Sequence, residues 1–369
     1  MEKYIFILGK NSELSLAEIQ TVFSDLKLLS QAKEYAVFEG QNLDYQKAQD
    51  RLGGTIKVGV VIDTAINEKR LLDEILARKS PSGKVKFGFS WHSVAPDKKL
   101  GLKIKTGLKR QNISSRYVES KDPQLSSVIV SKEKCLDFLI MPEMVGVTCA
   151  VQDFKDYGER DFGRPKSDAL SGMIPPKLAK MMINLSKTPF GEVLLDPYCG
   201  SGTILSEAIA LGYKKIIGCD ISNKAVDDSG KNAEWLLEQL GIKKIDLEIF
   251  SCDATKISQK IEPKSIFSIV AEPYLGKPIK GWESENEIRK IVFELEYLYL
   301  ASFKEFKKIL KKGGRVVMVI PQWHINSKTY TMKIAKGITD LGYKRIDDGS
   351  LIYKREGQKV WREIAIYEL

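Results

Sequence analysis

The chain has 369 residues, of which 43% are hydrophobic and 29% charged, with a formal net charge of +10. This length predicts two to three domains, and no apolar run reaches the roughly 18 residues that a membrane span needs. Five cysteines without a C-x-x-C pair and only two histidines argue against a disulfide framework, a zinc ribbon and a histidine-rich metal centre. The cysteine content favours a reduced, cytoplasmic setting, and the positive charge fits either a generally basic surface or an anionic partner, most often nucleic acid.

Short strands and helices alternate through residues 1–65, which we predict to be an α+β unit. The apolar run at residues 4–8 predicts a strand rather than a signal peptide, because Lys10 soon ends it and no small-residue cleavage site follows. Ser15 with Glu18 three positions later is a capping-box pattern and predicts a helix start. The further predicted elements are a strand over residues 35–38, a helix over residues 44–52 and a strand over residues 56–62.

Residues 66–153 continue with mixed elements and are predicted to form a second domain. The predicted elements are strands over residues 84–90, 127–130 and 145–151 and a helix over residues 100–111. Basic side chains crowd the helix and its approach, where Asp97 is the acid among them. The residues that could contact phosphates are Lys98, Lys99, Lys103, Lys105, Lys109, Arg110 and Arg116. Such contacts give affinity without reading sequence; the alternative is a solvated basic face.

Residues 154–185 are predicted to be a polar linker and a lead-in helix that opens at Pro175-Pro176. In residues 186–369, strand and helix patterns alternate, which implies a largely parallel, doubly wound α/β sheet. The predicted strands cover residues 193–195, 215–219, 246–250, 265–270 and 315–320. The predicted helices cover residues 203–211, 223–240 and 293–310, the last stopping at Gly313-Gly314. Strand patterns over residues 350–354 and 360–367 predict a terminal antiparallel hairpin.

The strongest local signal follows the first strand of that sheet. Asp196 ends the strand, Gly200 and Gly202 turn the chain, and Thr203 starts a helix. Open α/β sheets bind ligands at the carboxyl ends of their strands, where Asp196 can sit near an ammonium or a sulfonium. Leu205 stands where a dinucleotide fingerprint needs its third glycine, which disfavours a nicotinamide enzyme. A tight turn without a ligand is the remaining alternative.

Acids also end the next strands. Asp220 can accept hydrogen bonds from both hydroxyls of an adenosine ribose, or can cap the following helix. Asp253 can accept a hydrogen bond from the exocyclic amine of adenine, or can be an ordinary loop acid. The fourth strand leads into Glu272-Pro273-Tyr274, where acceptors and an aromatic face suit an exocyclic amine on a planar base. The alternative there is a rigid turn with a packed tyrosine.

These motifs resemble the THUMP-containing tRNA guanosine-10 N2-methyltransferase family, whose members are class I S-adenosylmethionine-dependent RNA methyltransferases. The resemblance covers nearly the whole chain and rests on Arg164-Pro165 and on residues 52–57, 116–121, 125–128, 175–179 and 196–203. It implies a ferredoxin-like unit, a THUMP domain that grips tRNA, a linker and a catalytic Rossmann-like domain. The implied S-adenosylmethionine-binding residues are Asp196, Tyr198, Cys199, Gly200, Gly202, Thr203, Asp220, Ile221, Asp253 and Ala254.

The fourth motif departs from the family pattern. The family reads Asp-Pro-Pro-Tyr, whereas residues 271–274 read Ala-Glu-Pro-Tyr. Either Glu272 supplies the carboxylate from a shifted position, or the chemistry is weakened, altered or lost. We predict a tRNA methyltransferase acting on the N2 amine of a guanine, with position 10 favoured and with Glu272, Pro273 and Tyr274 at the base.

Two other classes of function stay open at this point. One is methylation of another RNA or DNA base amine, and the other is a tRNA-binding relative without catalysis. The sequence leaves open the number of methyl groups added and the oligomeric state, and it is compatible with a monomer. It does not indicate the small activating partner that some relatives need.

Overall fold

The fold is described from a computed structural model, which covers residues 1–79, 83–167 and 173–369. Residues 80–82 of the predicted THUMP domain and residues 168–172 of the predicted linker lie outside the described residues. The chain divides into a first unit, Met1–Leu16 with Phe23–Lys155, and a second unit, Ala17–Val22 with Asp156–Leu369. Among the helices of the described residues, none is long and apolar enough to cross a membrane.

The first unit is built on one eight-stranded sheet in the order β2-β3-β1-β4-β8-β7-β5-β6. Its strands are β1 (Glu2–Leu8), β2 (Lys27–Gln31), β3 (Tyr35–Gly40), β4 (Thr55–Asp63), β5 (Val85–Trp91), β6 (Ser115–Val118), β7 (Leu136–Met141) and β8 (Met144–Val151). The first five helices of the chain are α1 (Ser12–Val22), α2 (Tyr45–Arg51), α3 (Glu68–Arg78), α4 (Leu100–Arg110) and α5 (Ser127–Glu133). The order from β1 to β4, with antiparallel pairing of β1 to β3 and β4 and of β2 to β3, is ferredoxin-like.

The periodicity of α4 decides which of its side chains face water. Leu100, Ile104 and Leu108 recur every four residues, are all buried, and pack in one apolar cluster with Phe87 and Phe138 of the sheet. The same spacing leaves the basic residues between them on the opposite face of the helix.

A buried ion pair links two strands of the first unit. Lys57 on β4 and Asp137 on β7 have side chains 3% and 0% exposed, and their charged atoms are 2.5 Å apart. Lys57 also donates to the carbonyl of Leu125 at 2.6 Å and to the hydroxyl of Ser90 at 3.2 Å. The lysine is therefore the counter-charge for a carboxylate without access to water.

The second unit contains the predicted doubly wound sheet. Its strands are β9 (Leu194–Asp196), β10 (Lys215–Asp220), β11 (Asp246–Ser251), β12 (Ile266–Ala271), β13 (Leu310–Ile325), β14 (Lys328–Thr331), β15 (Lys344–Arg345), β16 (Ile352–Tyr353) and β17 (Val360–Glu368). The remaining helices are α6 (Phe154–Gly158), α7 (Pro176–Leu185), α8 (Thr203–Ala210), α9 (Asn223–Gln239), α10 (Glu285–Ile309) and α11 (Ala335–Asp340). A π-helical turn at Glu159–Gly163 follows α6, and a 3-10 turn at Ala254–Gln259 follows β11.

The strand order of this sheet is β11-β10-β9-β12-β13-β17-β15. The strands from β11 to β13 run parallel, which confirms the doubly wound prediction. β17 runs antiparallel to β13 and to β16, which confirms the predicted terminal hairpin. The chain moves outward in opposite directions from β9 and β12, so the crevice at their carboxyl ends is where a ligand is expected.

Two sequence predictions in the first 135 residues are wrong. Residues 127–130, predicted as a strand, begin helix α5, because the Ser126 hydroxyl accepts the N–H of Ile129 and caps it. The Ser15 capping box is also wrong, since α1 begins at Ser12 and the Ser15 hydroxyl instead donates to the carbonyl of Gly54 at 2.9 Å. In both places a hydrogen bond of a serine hydroxyl decides the local structure against the short sequence pattern.

The bounds of α10 also differ from the prediction over residues 293–310. The helix begins at Glu285, after a capping box in which Ser284 and Glu287 each bond the backbone N–H of the other. It ends at Ile309, because β13 starts at Leu310, before the Gly313-Gly314 pair that was predicted to stop it. The polar segment predicted as a linker likewise contains α6 and the π-helical turn.

Candidate active site

A cavity of about 500 Å³ opens at the carboxyl ends of β9 to β12 in the second unit. This volume is typical of small-molecule sites. The predicted site residues that line it are Asp196, Tyr198, Cys199, Gly200, Thr203, Asp220, Ile221, Asp253, Ala254, Glu272, Pro273 and Tyr274. Met173, Ile174 and Leu298 also line it, although no motif marks them in the sequence. The one sequence signal among them is the position of Ile174 directly before Pro175-Pro176.

The two glycines of the β9–α8 loop have different surroundings. Gly200 has φ of +51° and lines the cavity, and its N–H donates to Asp220 at 3.0 Å. Gly202 has φ of +84°, and a Cβ on it would lie 2.5 Å from the Ser229 hydroxyl oxygen on α9. Gly200 therefore lets the backbone face the cavity, whereas Gly202 lets the loop pack on α9.

Asp196 is the last residue of β9 and is 1% exposed. Burial raises its pKa well above the usual value, the hydrogen bond from the Tyr198 N–H opposes that rise, and the charges of Asp220 and Glu272 add to it. A cation in the cavity would relieve this accumulation of negative charge. The site is therefore electrostatically suited to an ammonium or sulfonium group.

Asp220 and Asp253 are half-buried at the ends of the neighbouring strands. Asp220 accepts the N–H groups of Gly200 and Ser222, and the Ser222 hydroxyl, not Asp220, caps α9. Asp253 accepts both the N–H and the hydroxyl of Thr255 through Oδ1, at 2.9 and 2.7 Å. Both carboxylates are held in fixed orientations by their own loops.

Two lining side chains are hydrogen-bonded by Ser302 and Arg164, which were not among the predicted site residues. The Tyr198 hydroxyl is 2.6 Å from the Ser302 hydroxyl of α10. Arg164 donates to the Thr203 hydroxyl at 2.7 Å, and burial lowers the pKa of this arginine. The Arg164-Pro165 pair thus supports the α8 start from the predicted linker.

The fourth motif carries an unexpected contact. Glu272 lines the cavity, but its Oε1 accepts a hydrogen bond from Nε of Arg362 on β17 at 2.5 Å. The two side chains are only 9% and 10% exposed. Burial raises the pKa of Glu272, and the charge and hydrogen bond of Arg362 oppose that rise. Pro273 is buried, while Tyr274 is 60% exposed at the cavity.

The predicted RNA-binding residues lie in the first unit and are all exposed. They are Lys98 and Lys99 before α4, Lys103, Lys105, Lys109 and Arg110 on its outer face, and Arg116 on β6. Two of them have acidic neighbours, since Lys103 is 3.2 Å from Glu68 and Arg116 is 3.4 Å from Glu133. The outer face of α4 is nevertheless dominated by positive charge.

Both family models and individual proteins are similar to this chain. The "RMKL-like, methyltransferase domain" family matches residues 164–336, and a "DNA methylase" family matches residues 55–231. The tRNA (guanine(10)-N2)-dimethyltransferase of Methanothermobacter thermautotrophicus is 31% identical over 156 residues, which are 41% of this chain and 40% of that protein. A probable tRNA (guanine(10)-N2)-dimethyltransferase of Methanothermococcus thermolithotrophicus is 35% identical over 144 residues, which are 38% of this chain and 77% of that protein.

The chain belongs to the tRNA (guanine(10)-N2)-dimethyltransferase family. The match spans only 40% of the Methanothermobacter relative, so it does not transfer the activity of that whole protein. The crystal structure of TrmN from Thermus thermophilus covers 99% of both chains with a TM-score of 0.55 and 15% identity, and it therefore shares the fold.

The cofactor is S-adenosylmethionine, which the matches to methyltransferase families support, and the cavity fits it. The buried carboxylate of Asp196 suits its cationic methionine end. A further carboxylate ends β10, another follows β11, and a glycine with positive φ faces the same space. The donors and acceptors of an adenosine and an amino acid thus find partners along one wall.

Proposed function

We propose that this protein is an S-adenosylmethionine-dependent tRNA methyltransferase that modifies the exocyclic N2 amine of a guanine, at position 10. The observation that carries the proposal is the convergence of Asp196, Asp220, Asp253 and Glu272-Pro273-Tyr274 on one cavity. Membership of the family supports the choice of guanine N2 in tRNA. The five free cysteines fit a reducing compartment, and we place the activity in the cytoplasm.

In this proposal the wall of the cavity binds the cofactor in three parts. Asp196 and Gly200 face its methionine end, Asp220 accepts its ribose hydroxyls, and Asp253 with Ala254 holds its adenine. The bound cofactor supplies an electrophilic methyl group on a sulfonium. The exposed ring of Tyr274 stacks on a guanine flipped out of the tRNA, because a base inside a helix cannot reach such a cavity.

Glu272 and the backbone beside it orient the N2 amine of that guanine. The amine nitrogen would accept the methyl group that the bound cofactor supplies, the cofactor would leave with its sulfur uncharged, and the amine would then pass one proton to water. The carboxylate of Glu272 stabilises the positive charge that develops on the nitrogen, so catalysis comes from positioning and electrostatics. The shifted acid thus replaces the one that Ala271 lacks.

The tRNA itself is held by the basic outer face of α4. Lysine and arginine contacts to phosphates supply affinity that does not depend on the base sequence. Selection of the nucleotide is then left to the cavity and its tyrosine.

The test uses the full chain, an unmodified tRNA transcript and S-adenosylmethionine labelled on its methyl group, followed by digestion to nucleosides. We expect label in N2-methylguanosine or N2,N2-dimethylguanosine, and a roughly tenfold to hundredfold lower kcat for Glu272→Gln. Glu192→Gln, which removes a surface carboxylate paired to Lys311, is the matched control. Unchanged turnover of Glu272→Gln would remove this residue from the mechanism.

One observation favours a second candidate function. The match of residues 55–231 to a DNA methylase family suits methylation of a base amine in DNA, such as that of adenine. Offering duplex DNA and single-stranded DNA in the same assay separates the two candidates. Label in N6-methyladenine would replace the guanine proposal, and cofactor binding without label in any nucleic acid would indicate a tRNA-binding relative without catalysis.

A further inference from the structure

Arg362 reaches the cavity wall from the last strand of the chain. Its Nε bonds Oε1 of Glu272 across 90 residues of sequence, and both side chains are nearly excluded from water. In the sheet, Arg362 lies opposite Pro321 of β13 and Tyr353 of β16. The terminal hairpin therefore fixes where this guanidinium lies.

The neighbouring residue on β17, Glu363, shows which face of the sheet Arg362 points to. Glu363 bonds Arg345 and Gln322, and successive side chains of a strand point to opposite faces of the sheet. Arg362 thus points to the face that Glu272 occupies, and Glu363 points away from it. The Arg345–Glu363 pair is a similar ion pair of the same strand outside the cavity lining.

The charges around Glu272 explain why a cation is needed beside it. Asp196, at the end of β9, places a second carboxyl group near it, and the Tyr299 hydroxyl of α10 adds no positive charge. A buried carboxylate in such surroundings takes up a proton unless a partner stabilises its charge. Arg362 is that partner through its hydrogen bond to Oε1, and Oε2 is the atom that we expect to face the target base.

We propose that Arg362 is a positioning residue, which holds the Glu272 carboxylate charged and oriented at the cavity wall so that it can accept a hydrogen bond from the amine of the target base. The inference rests on the proposed function for the identity of that amine. It also explains how Glu272 can replace the acid that the family has at the position of Ala271. The terminal hairpin supplies the cation that holds the Glu272 carboxylate in place. Ala271 itself is fully buried and offers no polar atom from its side chain.

The kinetic test compares Arg362→Met, Arg362→Lys and the control Arg345→Met on the full chain. Activity that needs ionised Glu272 falls as the pH drops through the pKa of Glu272, and loss of Arg362 raises that pKa. We therefore expect Arg362→Met to lower kcat at pH 7 about tenfold or more and to move the acidic limb of kcat upward by about one pH unit or more. In Arg362→Met, the KM for tRNA and the Kd for S-adenosylmethionine should change less than about threefold. In Arg362→Lys and Arg345→Met, the acidic limb of the kcat profile should stay at the wild-type pH.

A direct titration keeps this inference separate from the proposed function. The carboxyl carbon signals of 13C-labelled glutamate are followed with pH, and Glu272→Gln identifies the signal of Glu272. We expect its midpoint to rise by about one unit or more in Arg362→Met and to stay near wild type in Arg362→Lys. If that happens while the wild type methylates no nucleic acid, the proposed function fails and the role of Arg362 toward Glu272 stands.

Two results would overturn the inference. One is a Glu272 midpoint that does not move in Arg362→Met. The other is an equal loss of activity at every pH in Arg362→Met and Arg345→Met, which would show that both arginines only stabilise the sheet. If Arg362→Met does not fold, Arg362→Gln, which removes the charge and keeps a polar side chain, replaces it in both the kinetic comparison and the titration.

Discussion

Replacing Gly202 by alanine tests how the β9–α8 loop is held. At φ of +84° an alanine costs about 1–2 kcal/mol because its Cβ crowds the following carbonyl. Its Cβ would also lie 2.5 Å from the Ser229 hydroxyl oxygen and 3.2 Å from Ser229 Cα, so the loop or α9 must shift. Overpacking of this kind costs roughly 1–3 kcal/mol more. The free energy of unfolding of the second unit should therefore fall by about 2–5 kcal/mol.

Two other glycines serve as controls that separate strain from clash. Gly212 has φ of +91° with no atom within 4 Å of an added Cβ, so Gly212→Ala should show the conformational cost of about 1–2 kcal/mol alone. Gly200, at φ of +51°, is equally unobstructed but lines the cavity, so Gly200→Ala should add a loss of S-adenosylmethionine affinity. Urea unfolding and calorimetric titration of the cofactor measure the two effects. Equal destabilisation by Gly202→Ala and Gly212→Ala would refute the packing role of Gly202.

Three further predictions concern other parts of the chain. Lys57→Met should destabilise the first unit by about 3–5 kcal/mol in urea unfolding, because it leaves Asp137 buried without its counter-charge; a cost under about 1 kcal/mol would contradict the buried pair. Changing Lys105 and Lys109 together to glutamine should weaken tRNA binding and reduce the slope of log affinity against log salt by about 2, with cofactor affinity unchanged; an unchanged slope would place the tRNA elsewhere. Ser284→Ala should cost about 1 kcal/mol through loss of the α10 capping box, which thermal unfolding can detect.

The central strands of the second unit could be predicted because β9, β10 and β12 are short and mostly buried apolar runs. The same feature located the acids of the site, since Asp196 and Asp220 end their strands and Asp253 follows the next one. Where parallel strands lie side by side, residues at their carboxyl ends meet, so the cavity lining follows from chain position alone.

Some of the other features depended on contacts that local patterns do not contain, and one local pattern was overlooked. The β-branched run at residues 127–130 suits a strand, but the Ser126 cap and the left-handed residue Lys134 bound a helix there. The predicted start of α10 at residue 293 was wrong, although the Ser284–Glu287 capping-box pattern is present in the sequence. Arg362 had no local signal, because its role arises only when the last strand of the chain pairs beside the fourth motif.

The central claim is transfer of a methyl group to the 2-amine of a guanine in tRNA. The most direct measurement compares two transcripts that differ only at position 10, one with guanosine and one with inosine, which lacks the 2-amino group. With labelled S-adenosylmethionine, the account predicts label in the guanosine transcript and none in the inosine transcript. Equal labelling of both transcripts would contradict it, because the accepting atom would then be another one.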